Sequence, residues 1–197
     1  MARVDDFNGL PEEDLRRALG ECCSSARWAE AVAAGRPYPT PAALLAASDV
    51  AVARLGEADL RSALAGHPRL GDRRFATGTP GAQSRAAGWS TQEQAGVSGA
   101  DAAAAQALAD GNAAYEQRFG HIYLACATGR SAVELLALLR ERLGNDRRTE
   151  WGVVTAELAK INQIRLRKLA GGATAGEGGD AGYGADASAG VTGGSGS

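Results

Sequence analysis

Only two histidines and three cysteines occur among the 197 residues, and aromatic side chains make up 5% of the chain. Each scarcity excludes something. Cys22, Cys23 and Cys126 are odd in number, two of them are adjacent, and no C-x-x-C spacing occurs. That argues against a zinc site or a disulfide framework and for free thiols in a reducing cytosol. With so few aromatics, alanine and leucine supply most of the apolar content, which favours helices over sheets. Charge of neither sign predominates, the net charge being −2, so nothing points to nucleic acid or to an anionic membrane as partner. No run approaches the ~20 apolar residues of a membrane helix. Met1 to Leu10 is polar and lacks a signal-peptide apolar region, so a cytoplasmic protein is expected. P-loop, G-x-S-x-G, H-E-x-x-H and dinucleotide fingerprints are all missing, and two distant histidines give weak grounds for a metal, so none is expected.

What is there is helical patterning with clear punctuation. Leu15, Ala18, Leu19 and Cys22 follow Pro11 at helical spacing. Further helices are predicted over 26–34, over 40–55 with Thr40 as cap and Pro41 in first position, and over 57–65, stopped by Gly66. Residues 67–89 read as a long loop, of a kind that is often functional. Ser90 is expected to start the next helix, followed by 101–119, by 131–143 from an S-x-x-E start (Ser131, Glu134), and by 146–170. The expectation is an all-α, single compact domain of about eight helices over residues 1–170. Residues 171–197, nearly all glycine, alanine and serine with a few acids, read as a low-complexity disordered tail.

Four features could carry chemistry. His67 precedes Pro68, which pushes it out of helical geometry onto a corner just past a helix end. A side chain that titrates near neutral pH there suits proton transfer, although a plain helix stop explains it too. Ser90 and Glu93 fit a capping box, and Glu93 and Gln94 in the first turn of a helix would also suit a ligand. Arg165 lies in the middle of an apolar stripe formed by Trp151, Val154, Leu158, Ile161 and Leu169. A buried guanidinium needs an anionic or hydrogen-bonding partner, from a ligand or from within the protein. Finally, the run from Ile122 to Ala127 reads as a buried extended connector, whose backbone groups need partners from protein or ligand. His121, just before it, reads as structural.

Together the segments F-N-G-L, C-C-S-S-A-R-W-A, G-H-P-R-L-G-D, S-T-Q-E-Q-A-G-V, N-A-A-Y-E-Q-R-F-G, L-R-E-R-L-G-N-D and E-L-A-K-I-N-Q-I-R-L, between Phe7 and Leu169, resemble one family. It is the 2-oxo-4-hydroxy-4-carboxy-5-ureidoimidazoline (OHCU) decarboxylases of urate degradation. The resemblance implies an all-α, cofactor-independent and usually homodimeric enzyme that converts OHCU into (S)-allantoin and carbon dioxide. By matched motif it implies His67, Glu93 and Arg165 as catalytic residues. The implied substrate contacts are Pro68, Ser90, Thr91, Gln92, Glu93 and Gln94, with a wall made by Ile122, Tyr123, Leu124, Ala125, Cys126 and Ala127. His121 stands where family members often have an aromatic residue, and the tail is no part of the family pattern. Two other readings remain open: a non-enzymatic helical interaction module in which Arg165 closes an internal ion pair, and a lyase acting on another small ureido acid.

Overall fold

The structure is a computed structural model that describes residues 4–71, 85–98 and 102–171. Ten helices occur among the described residues and no strand. In chain order they are α1 (Val4–Asn8), α2 (Glu12–Cys22), α3 (Ala26–Ala34), α4 (Pro41–Ala53), α5 (Glu57–Ala65), α6 (Arg85–Glu93), α7 (Ala95–Ser98), α8 (Ala102–Phe119), α9 (Ala132–Arg142) and α10 (Arg147–Ala170). The two beyond the expected eight, α1 and α7, span 5 and 4 residues, too short to show a helical period. Expectations for 72–84, and for the tail from residue 172 onward, fall outside the described residues.

Where the sequence carries a clear cap, the helix begins at it. Thr40 Oγ1 accepts from Ala43 N at 3.1 Å, with Pro41 next in line. Asp146 Oδ1 accepts from Thr149 N at 2.9 Å. Ser131 and Glu134 form a reciprocal box, with Glu134 N donating to Ser131 Oγ at 3.3 Å and Ser131 N donating to Glu134 Oε2 at 2.7 Å. Each such contact satisfies an amide that the first helical turn leaves without a partner.

The exception is α6. It begins at Arg85, so Ser90 and Glu93 lie in its last turns and form no capping box. The expected first-turn anion site at Glu93 and Gln94 does not exist either. The Ser90 and Glu93 side chains are instead bonded by Arg165, which reaches them from α10, and Gln94 accepts from Gly71 N.

Burial divides into two clusters. The first gathers Phe7, Leu15, Leu19, Trp28, Leu44, Leu64 and the apolar face of α10, and α10 lies against α4. The second gathers Leu70, Val97, Leu108, Tyr115, Leu135 and Leu139, where α8 packs on α9. Burying one such leucine side chain contributes about 1.5–3 kcal/mol. Between the clusters runs a short stretch without regular structure, residues 122–127. Its side chains alternate: Tyr123, Ala125 and Ala127 enter the second cluster, Leu124 and Cys126 the first. That is the two-residue period of an extended chain, as expected for a buried connector.

Candidate active site

A cavity opens where the two clusters meet, lined by His67, Pro68, Leu70, Ser90, Glu93, Gln94, Ile161 and the run from Tyr123 to Thr128. It is tight, with a volume of ≈ 20 Å³, room for about one water sphere.

His67 reaches this cavity from a corner that is held on every side. α5 ends at Gly66, and His67 N closes the turn onto Leu64 O at 3.0 Å. Asn112 Nδ2 donates to Leu70 O at 2.9 Å, and Gly71 N donates to Gln94 Oε1 at 3.0 Å. Arg69 forks onto the Glu116 carboxylate of α8 through Nε and Nη2, at 2.5 and 2.8 Å. Gly71 has φ +78°, and a Cβ there would meet Leu108 Cδ2 at 3.1 Å, so the left-handed turn requires glycine. The imidazole is half-buried as a residue, but its Nε2 is covered and has no hydrogen-bond partner among the described residues. Burial, and then the nearby charge of Arg165, push its pKa down to about 3. The sequence suggested a side chain titrating near neutral pH. The folded protein instead holds a ring that stays neutral through the physiological range.

Arg165 is 2% exposed and is the largest buried cation of the site. Its Nε and Nη2 donate to the two oxygens of Glu93, at 2.9 and 2.8 Å. Nη2 also donates to Ser90 Oγ at 3.1 Å, and Nη1 to Cys22 O at 3.1 Å. Of the five N–H donors of a guanidinium, these contacts use both on Nη2, the one on Nε and one of the two on Nη1. The remaining Nη1 hydrogen meets no partner among the described residues. Charge on both sides of a buried fork offsets the desolvation that either group alone would suffer. The arginine on the apolar stripe is thus partnered from within the protein, and it rigidly orients Glu93 at the rim of the cavity.

The opposite wall is the extended run, and it is anchored from behind. Arg142 Nη1 donates to Leu124 O at 2.7 Å. Cys126 N donates to Glu157 Oε2 at 2.7 Å, and Cys126 O accepts from Arg130 Nη1 at 3.2 Å. In an extended chain the N–H and C=O of one residue point the same way, and those of the next residue point oppositely. Leu124 O and both backbone groups of Cys126 are therefore claimed from behind, by Arg142 of α9, Glu157 of α10 and Arg130 of the loop before α9. Neither backbone group of Ala125, which is 5% exposed, meets a partner among the described residues. Buried amide groups of that kind call for water or ligand.

Not every expected residue reaches the cavity. Thr91 Oγ1 donates to Ala87 O at 3.0 Å, Gln92 accepts from Lys168 Nζ at 3.0 Å, and neither lines the cavity. Ile122 and Arg165 lie outside the lining as well, Arg165 meeting the cavity only through Glu93 and Ser90, and His121 stacks on Trp151 with ring centroids 4.3 Å apart and Nδ1 3.0 Å from Ile122 O. Conversely, Leu70, Thr128 and Ile161 line the cavity without having been singled out. Ile161 sits one helical turn before Arg165, a spacing that could have revealed it. The three cysteines are free and buried, and burial pushes the Cys22 thiol up to about 12. Among the described residues no group of three or more His, Cys, Asp or Glu could hold a metal ion, and no helix is long and apolar enough to cross a membrane.

Comparison with known proteins gives a consistent picture. The family profile described as OHCU decarboxylase matches residues 8–167. The chain is 32% identical over 149 residues to the "Uric acid degradation bifunctional protein TTL" of Arabidopsis thaliana, covering 75% of this chain and 45% of that protein. It is 34% identical over 141 residues to the "2-oxo-4-hydroxy-4-carboxy-5-ureidoimidazoline decarboxylase" of Amia calva, covering 72% of this chain and 78% of that protein. It therefore spans less than half of the plant protein and about three quarters of the fish protein. Among solved structures, it is similar to an OHCU decarboxylase crystallised in the presence of (S)-allantoin, with TM-score 0.61, 29% identity, and coverage of 76% of this chain and 94% of the other. An (S)-allantoin synthase with TM-score 0.61 and 20% identity, covering 84% of this chain and 53% of the other, shares the fold.

Proposed function

We propose, for a chain that belongs to the OHCU decarboxylase family, that it decarboxylates OHCU to (S)-allantoin in urate degradation. The observation that carries this reading is the neutral Nε2 of His67, without a partner among the described residues, lining the same cavity as the Glu93 carboxylate, which Arg165 holds. OHCU bears a hydroxyl and a carboxylate on one ring carbon beside an unsaturated neighbour. As the bond to the carboxylate breaks and CO₂ leaves, its electron pair moves into that neighbouring C=N, whose nitrogen takes a proton from solvent. The substrate is its own electron sink, so the reading needs no cofactor. His67 accepts the hydroxyl proton and returns one to the adjacent carbon, on the face that yields the S product. General acid–base help of this kind is worth roughly 10²–10⁴-fold.

In this reading Glu93, locked by Arg165, orients the ring or the imidazole. Pro68, Ser90 and Gln94 border the substrate, Ala125 offers backbone groups to its amides, and Arg165 contributes its charge from behind Glu93 and Ser90. Thr91, Gln92 and Ile122 support the site from outside the cavity. The test is to add freshly prepared OHCU and follow (S)-allantoin by circular dichroism. Formation of optically active product far above the spontaneous rate is expected, and a rate equal to the blank overturns the reading. A homodimer, as the family resemblance implies, is part of the proposal. Light scattering should then give about twice the mass of one chain.

A further inference from the structure

The proposed chemistry leaves one buried acid of the site unused. Glu157 is 7% exposed on α10, two turns before Arg165, and it touches the cavity wall from behind. Its Oε2 accepts from Cys126 N at 2.7 Å, its Oε1 accepts from Lys160 Nζ at 2.5 Å, and Arg130 Nη1 lies 3.5 Å from Oε2. Arg130 also donates to Cys126 O, so both backbone groups of Cys126 are claimed from one side. The neighbouring residue along the wall is Ala125, whose N–H and C=O must then point to the other side. If the wall turned by one residue, the backbone groups of Cys126 would point to the cavity side and those of Ala125 would be lost to the elements behind.

We infer that Glu157 is a positioning residue, whose carboxylate fixes the register of the extended wall so that the backbone of Ala125 faces the ligand. The inference rests on the proposed OHCU-binding reading of the cavity. Burial alone would push the Glu157 carboxyl up, but Lys160, the Cys126 amide and Arg130 outweigh it and hold the group below its usual range. It therefore acts as a permanent acceptor, and no proton moves through it. Arg142, donating to Leu124 O from α9, is the matching anchor two residues earlier.

The test compares wild type with E157L, E157Q and E157D. The leucine variant removes the acceptor, the glutamine variant keeps an oxygen within reach of Cys126 N, and the aspartate variant keeps the charge but is one methylene too short. E157L and E157D are expected to raise KM for OHCU about tenfold, the scale of a lost hydrogen bond to a charged group, with kcat within about twofold of wild type. E157Q should recover most of the loss. Amide hydrogen exchange at Cys126 should speed up at least about tenfold in E157L and stay slow in E157Q. A purely structural role would lower the melting temperature and the active fraction and leave KM alone. Wild-type KM in E157L and E157D, or unchanged Cys126 protection, overturns the inference. Absence of turnover in wild type would instead overturn the decarboxylase reading, and the exchange data would still decide whether Glu157 holds the wall.

Discussion

A buried imidazole that stays neutral leaves one signature in rate and another in stability. If His67 moves the substrate's proton, His67→Ala should lose about 10²-fold or more in kcat/KM with helicity by circular dichroism unchanged. Near-normal turnover in that variant would remove His67 from the chemistry. Because its pKa lies about 3 in the folded protein, kcat/KM of the wild type should show no histidine limb between pH 5.5 and 8.5. A limb near pH 6.5 that vanishes in His67→Ala would contradict the buried neutral ring. The stability effect has a definite sign. An unfolded histidine titrates near 6.5, so between about 6.5 and about 3 the unfolded chain binds a proton that the folded chain refuses. Stability is retained above that window and is lost as pH falls through it, by up to about 1.4 kcal/mol per unit. Urea unfolding from pH 6.5 to 4.5 should show a shallower pH slope for His67→Gln than for wild type. Glu93→Ala acts through its partner, since it leaves a buried guanidinium without its counter-charge. Losses on the order of 3–5 kcal/mol accompany such changes, so the chain should melt far earlier, and Glu93→Gln should lose less.

At the scale of the elements, caps decide what could be read ahead of the structure. Helices α3, α4, α5, α9 and α10 start where Ser25, Thr40, Gly56, Ser131 and Asp146 stand, because a side-chain or backbone acceptor there is a local fact. Ser131→Ala should therefore cost about 1 kcal/mol, read as a lower urea midpoint at unchanged slope. A midpoint equal to wild type would mean that the box is ornamental. The start of α6 was misplaced because S-x-x-E imitates a cap, while the true partner of Glu93 is 72 residues away. Arg165 was legible as a buried charge from its place on the stripe. Its partner was not, because no local period encodes a contact between α6 and α10. The wall was legible as a buried extended run, yet the clamps from Arg142 and Glu157 come from two helices further along and left no local mark. Thr91 and Gln92 share the motif of Ser90 and Glu93, but on α6 their side chains bond Ala87 and Lys168 outside the cavity.

For the molecule as a whole, the family match ends at residue 167 and α10 closes at Ala170 on Gly171. A chain cut after Gly171 should keep the kcat/KM of the full chain, and a large loss would give residues 172–197 a part in catalysis. The two clusters of buried side chains meet along one extended strip, with the cavity at the seam. That arrangement makes any well-fitting ligand a mortar between two halves of the protein. Such a ligand binds the folded chain and has nothing to bind in the unfolded one, so it must raise the melting temperature by mass action. At one hundred times its Kd the gain is about 2.7 kcal/mol. A thermal-shift panel of (S)-allantoin, its mirror image and other small ureido acids would thus rank occupants of the seam without any turnover. It would show by melting point alone whether the cavity distinguishes one hand of allantoin from the other.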